Sequence, residues 1–196
     1  MARPKEFDPD HVLDAAMNAF WSRGYAATSA QNLVDSTGLG RGSLYNAFSS
    51  KHRLFQEALT RYGEERTARQ EALLEGPGTV RERIRELLMT VVEEESRTDD
   101  PDDPGPRGCL AVNAAVELAG LDAEITAQVR RIFERMAEAL RAALARAQRD
   151  GEIDPGRDPQ ALALFVLNSM YGLRVLGKTA DRRALAGIVD TTLSVL

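Results

Sequence analysis

Within the stretch TSAQNLVDSTGLGRGSLYNAFSSKHRLF, residues 28–55, the side chains Arg41, Gly42, Tyr45 and Asn46 recur at helical spacing on one face, while Leu44, Ala47 and Phe48 fall on the other. The first set suits nucleic acid. Arginine offers a planar fork of donors to phosphate or guanine, the tyrosine hydroxyl and asparagine amide reach phosphate or base edges, and a glycine lets backbone approach a duplex closely. Catalysis has no comparable set. The two histidines, His11 and His52, precede residue 54, and the single thiol, Cys109, has no histidine in its own part of the chain to activate it. Neither a phosphate-cradling glycine loop nor a zinc-spaced cluster occurs. The expectation is therefore no catalytic residue, no metal and no cofactor, with Cys109 a buried reduced cysteine in preference to an oxidation or metal sensor.

The elements that must present the outward set are two short helices. Thr28 followed three residues later by Gln31 predicts a capping box and a helix start. Ala30, Leu33 and Val34 share one face until Gly38, a residue at ease in the left-handed turn that ends a helix. A second helix is predicted over Arg41–Phe48, with Leu44, Ala47 and Phe48 inward. Two such helices joined by a tight glycine-containing turn fit a helix-turn-helix, whose second helix enters the major groove. The plain alternative is a helical hairpin with solvated charges.

At this point the sequence resembles the TetR family of one-component transcriptional regulators. The matching residues are Phe20 and Gly24-Tyr25 ahead of Thr28-Ser29, then Gly38, the run Arg41-Gly42-Ser43-Leu44-Tyr45, Phe48, Ser50-Lys51 and Leu54-Phe55. They cover roughly residues 8–60. Gly40 departs from the serine usual in the family, Asn46 from a histidine, and Ala47 from a second aromatic. With the resemblance, the candidate DNA contacts are Thr28, Ser29, Arg41, Gly42, Ser43, Tyr45, Asn46 and Lys51. The implied fold is all-α, a three-helix helix-turn-helix head followed by a helical ligand-binding and dimerisation domain.

The 196 residues, 43% hydrophobic and 28% charged, describe a soluble globular chain without an apolar run long enough to cross a bilayer. A polar start without a secretory signal, and one cysteine, lead us to expect the cytoplasm. The net charge of −5 disfavours nucleic acid until it is divided. Residues 1–53 carry six basic against five acidic groups, +1, and the remainder 19 against 25, −6. Such a chain touches DNA through a small footprint and repels it elsewhere.

Along the chain, residues 1–7 read as a flexible arm that can bring Arg3 and Lys5 near phosphates. Asp8-Pro9 caps a first helix ending at Gly24, in which Trp21 is assigned to packing. A fourth helix, at about residues 51–75, links the expected DNA-binding domain, 1–53, to an effector-binding and dimerisation domain, 54–196. Gly76-Pro77-Gly78 interrupts it, and Thr79 with Glu82 opens the next helix. Glu93–Arg107, acidic and rich in proline, reads as a mobile surface loop. Gly108–Gly120 is expected to be a short buried helix. Asp122 and Asp158-Pro159 cap two more, and a last helix carries Leu185, Ile188, Val189, Leu193 and Leu196.

The helix from 159 to 177 is apolar nearly all round, more than one subunit buries easily, and its small residues Ala161, Ser169, Gly172 and Gly177 permit close approach. Pairing with a second copy answers this, and the resemblance implies a four-helix dimer interface from the last two helices. A twofold dimer would set two recognition helices on a pseudo-palindromic operator. The alternative is a monomer with a well-filled core. Polar residues within apolar helices, Cys109, Asn113 and Glu117 on one and Asn168, Tyr171 and Arg174 on another, are candidate contacts to the small-molecule effector that the resemblance implies. A Glu117–Arg174 ion pair is the structural alternative. The expected function is a ligand-responsive transcriptional regulator, a repressor in preference to an activator. The competing expectation is a helical ligand-binding protein or enzyme whose amino-terminal motif does not read DNA.

Overall fold

The computed structural model describes residues 7–96 and 107–196, and among these the chain is all-α, nine helices without a strand. They are α1 (Pro9–Arg23), α2 (Ala30–Thr37), α3 (Arg41–Phe48), α4 (Lys51–Glu75), α5 (Val80–Glu95), α6 (Leu110–Leu118), α7 (Ala123–Arg149), α8 (Pro159–Leu176) and α9 (Arg182–Ser194). Arg3 and Lys5 of the expected arm, and residues 97–106 of the expected acidic loop, lie outside the described residues. No helix of the described residues is long and apolar enough to cross a membrane.

The chain divides into two compact units. One comprises Met1–Gly63 with Leu110–Val129, the other Glu64–Cys109 with Arg130–Leu196, so α4 and α7 each contribute to both.

In the first unit, Asp8 caps α1 by accepting the Asp10 N–H at 3.0 Å, with Pro9 in the first turn, and Gly24 ends the helix at φ +82°. Val12, Ala16 and Phe20 of α1 join Leu33, Leu44, Leu54, Phe55, Ala58 and Leu59 in a closed apolar core. Phe20 meets Phe55 edge-on at 5.0 Å, and Trp21 meets Tyr62 at 5.1 Å, the packing role expected of it. The capping box of α2 is corrected by one residue. Ser29 is the N-cap, its Oγ accepting the Asn32 N–H at 3.1 Å while the Asn32 amide oxygen accepts the Ser29 N–H at 2.9 Å. Thr28 is fully buried instead, and its hydroxyl donates to the Gly24 carbonyl at 2.6 Å.

In the second unit, Thr79 and Glu82 form the expected capping box of α5, and Asp158 with Pro159 starts α8 as expected. Ile84, Leu88, Val92, Leu140, Leu144, Val166, Leu173 and Val189 make one core from α5, α7, α8 and α9. Glu93–Glu95 correct the predicted loop start. They continue α5, because Glu95 is 2% exposed and ion-paired rather than solvated. Gly177 is also reassigned, since a Cβ there would collide with the Glu95 side chain, which makes its small size a requirement of this unit's own packing. Large apolar side chains of α8 remain outside, Leu164 at 50%, Phe165 at 39%, Val175 at 52% and Leu176 at 46% exposure. They are the uncovered side of the helix predicted to be apolar all round.

Candidate nucleic-acid interface

The turn that aims α3 is built from backbone requirements. Gly38 takes the left-handed conformation, φ +69°, and its N–H returns to the Val34 carbonyl to close α2. Gly40 is the N-cap of α3 and brings no side chain to its free donors. Leu44, fully buried, and Phe48 lock the inner face of α3, so helix rotation about its axis is fixed. Arg41, Gly42, Ser43 and Asn46 are thereby exposed together, with Tyr45 half-buried beside them. Of the expected outer set Arg41, Gly42 and Asn46 are exposed and Tyr45 is half-buried; of the expected inner set Leu44 and Phe48 are buried and Ala47 is half-buried.

Ser50 opens α4 by accepting the Arg53 N–H at 3.0 Å on its hydroxyl. Lys51, next in the chain, lies with Nζ 4.4 Å from the centroid of the Tyr25 ring. Burial draws its ammonium below the ordinary lysine value, against the opposing pull of Glu117. Burial also raises the Tyr25 phenol, helped by Asp122 and Glu117. Of the candidate contacts, Ser29, Arg41, Gly42, Ser43 and Asn46 are exposed and Tyr45 and Lys51 partly so. Thr28 is the correction: a fully buried side chain with its hydroxyl spent inside the unit has no path to a phosphate.

The six effector candidates are divided between the two units. Asn113 and Glu117 belong to the first unit, whereas Cys109, Asn168, Tyr171 and Arg174 belong to the second. The Glu117 carboxylate accepts the backbone N–H of Tyr25 at 2.8 Å and of Ala26 at 2.6 Å. Arg174, 4% exposed, is held by Glu95 at 2.8 Å and Glu94 at 2.5 Å, and Arg66 makes a two-point contact with Glu94. Each member of the Glu117–Arg174 pair expected as a structural alternative has partners within its own unit. Tyr171 is half-buried against Phe133, ring centroids 4.6 Å apart, and burial pushes its phenol far above the usual range. Cys109 is buried and Asn168 exposed.

Two contacts were not foreseen. His52 Nε2 lies 2.6 Å from Asp122 Oδ2, and Gln56 donates to Glu124 at 2.6 Å, joining the start of α4 to the start of α7. Asp122 also accepts the Ile125 N–H, which, with His52, holds its carboxyl below the usual range. Only its helix-capping half was legible locally. Among the described residues no group of three or more His, Cys, Asp or Glu side chains is placed to hold a metal ion.

Two family models match the chain, "Bacterial regulatory proteins, tetR family" over residues 12–58 and "Tetracyclin repressor-like, C-terminal domain" over residues 81–191. YezE of Bacillus subtilis (strain 168), an uncharacterised HTH-type transcriptional regulator, is 35% identical over 198 residues, the full length of both chains. ComR of Escherichia coli (strain K12), an HTH-type transcriptional repressor, is 31% identical over 193 residues, 97% of this chain and 90% of ComR. A cysteine-substituted form of the TetR family transcriptional regulator CifR, solved with 26 bp double-stranded operator DNA, matches with a TM-score of 0.84 at 30% identity, covering 98% of each chain.

Proposed function

Because the chain belongs to the TetR family of bacterial regulatory proteins, we propose that it is a cytoplasmic, dimeric transcriptional repressor, not an enzyme, that leaves a pseudo-palindromic operator when a small molecule binds. The observation that carries this reading is the fixed rotation of α3, with Leu44 and Phe48 inward and Arg41, Gly42, Ser43 and Asn46 exposed as one surface. Residues 1–53 read the operator. Residues 54–196 carry the effector site and the subunit interface, although α6 and the start of α7 pack with the DNA-reading part. Ser29, Arg41, Gly42, Ser43, Tyr45, Asn46 and Lys51 supply the contacts. CifR, solved on operator DNA, and ComR, a repressor, support this assignment by their likeness.

Dimerisation places two copies of α3 on successive major-groove faces. The exposed Leu164, Phe165, Val175 and Leu176 of α8, together with α9, form the interface we assign to it. Cys109, Tyr171 and Asn168 remain the effector candidates in the second unit, and Asn113 in the first. The polar ends of Glu117 and Arg174 are engaged by protein partners.

The test is selection of bound duplexes from a random pool, followed by affinity measurement across salt concentrations. The regulator reading expects enrichment of an inverted repeat and a log-log salt slope that falls with each phosphate contact, about 0.9 per contact. A chain that enriches nothing and binds without salt dependence is a helical protein of another kind.

A further inference from the structure

Within the second unit, a groove of about 230 Å³ opens between the last turn of α4 and the second half of α7. Leu74 of α4 and Ala139 and Ala142 of α7 give it an apolar lining. The two alanines leave the space, since longer side chains at their positions would fill it. Cys109, Asn168, Tyr171 and Arg174 take no part in the lining, so this is a different place from the one considered for the effector.

Five charged side chains stand around the apolar lining, Glu71 and Glu75 from α4 and Arg135, Glu138 and Arg146 from α7. Three of them are already engaged. Arg135 donates twice to Glu71, from Nε at 2.8 Å and from Nη2 at 2.5 Å, and Arg141 donates twice to Glu138 at 2.7 and 2.6 Å. In both pairs the guanidinium fork occupies both carboxylate oxygens. Glu75 and Arg146 are left over. The side chain of neither makes a hydrogen bond or an ion pair among the described residues, Glu75 being exposed and Arg146 half-buried.

This pattern of charge selects a class of molecule. A simple anion approaching Arg146 would face three carboxylates on the same rim, and a simple cation approaching Glu75 would face two guanidinium groups. A molecule with one charge of each sign meets both unused groups and leaves the net charge of the groove as it was. The Arg146 fork suits a carboxylate, on two parallel N–H bonds. Glu75 suits an ammonium for a further reason: it is the last residue of α4, whose final turn holds no basic side chain, so its charge adds to the negative end of the helix. The apolar lining asks for hydrocarbon beside these charges. At roughly 30 Å³ for a water-sized group, the space takes about eight such groups.

We infer that the groove between the end of α4 and α7 binds a small apolar zwitterion, a free amino acid with a short branched side chain, Arg146 holding its carboxylate and Glu75 its ammonium. A chain that read no operator would carry this site unchanged.

The experiment is an amide-shift titration of the isotope-labelled full chain with L-valine, and with two molecules that each lack one of its charged groups, 3-methylbutanoate and 2-methylpropylamine. Shifts at residues 71–75 and 135–146 are expected to saturate with a dissociation constant of about 1 mM for L-valine, and at least about fivefold higher for either analogue. Arg146→Gln is expected to weaken L-valine and 3-methylbutanoate by at least about fivefold while leaving 2-methylpropylamine as it was. Glu75→Gln does the reverse, weakening L-valine and 2-methylpropylamine only. Neither substitution removes a contact that the protein itself uses, so both variants keep the parental urea midpoint. Ala142→Leu fills the groove and is expected to abolish binding of all three molecules. No saturable shift at these residues, two charge variants that fail to separate the two analogues, or parental binding by Ala142→Leu overturns the inference.

Discussion

The guanidinium of Arg174 and the carboxylate of Glu95 face each other at 2.8 Å, 4% and 2% exposed, and tie the end of α8 to the end of α5. Glu94 and Arg66 extend the pair into a group of two positive and two negative charges. Removing one member strands a buried charge, which costs more than the intact pair contributes. Arg174→Met is expected to lower unfolding stability by about 3–5 kcal/mol, read from the urea midpoint at unchanged slope. Burial raises the Glu94 carboxyl, but Arg174 and Arg66 outweigh it and leave it below the ordinary 4.5. A depressed folded-state value stabilises above the unfolded value and is lost as pH falls through the folded one. The parental stability is therefore expected to decline below pH 4.5, and more steeply than that of Arg174→Met.

Thr28 separates a structural hydroxyl from a DNA contact. Its Oγ1 donates to the Gly24 carbonyl at 2.6 Å in a fully buried position. Thr28→Val is expected to cost about 0.5–1.5 kcal/mol in unfolding, with no change in the salt slope of DNA binding. Ser29→Ala removes a helix cap and is expected to cost about 1 kcal/mol. A flatter salt slope for the valine variant would return Thr28 to the interface.

The exposed apolar side of α8 gives a test of assembly. Leu164, Phe165, Val175 and Leu176 recur at helical spacing, and a charge at Phe165 would lie within any surface they form. Sedimentation equilibrium is expected to find the parent dimeric and Phe165→Glu monomeric, with weaker binding to the inverted repeat. A monomeric parent, or a variant that stays paired, would place the subunit contact elsewhere.

Helix ends were legible where one local signal stood alone. Asp8-Pro9, Thr79 with Glu82, Asp158-Pro159, and glycines 24 and 38 all mark ends that the structure has. The signal was ambiguous at Thr28-Ser29, because each hydroxyl has an amide three residues on, Gln31 or Asn32. Burial of Thr28, a tertiary effect, decides between them. The inward and outward faces of α3 followed from periodicity, since Leu44 and Phe48 are its large apolar residues. The partners of buried charges did not. Glu95 reads as part of an acidic run until Arg174, 79 residues away, comes beside it, and Glu117 meets backbone 91 and 92 residues away. Main-chain donors carry no sequence signature, so no inspection of side-chain types would have found that contact.

The central claim is that the exposed face of α3 reads DNA, and Arg41 tests it most directly. Affinity of the parent and Arg41→Ala for the selected duplex, measured over a range of salt concentrations, is the decisive comparison. The account predicts a loss of about 1–3 kcal/mol if Arg41 contacts a base, or a salt slope flatter by about one unit if it contacts phosphate. Unchanged affinity together with an unchanged slope would contradict it.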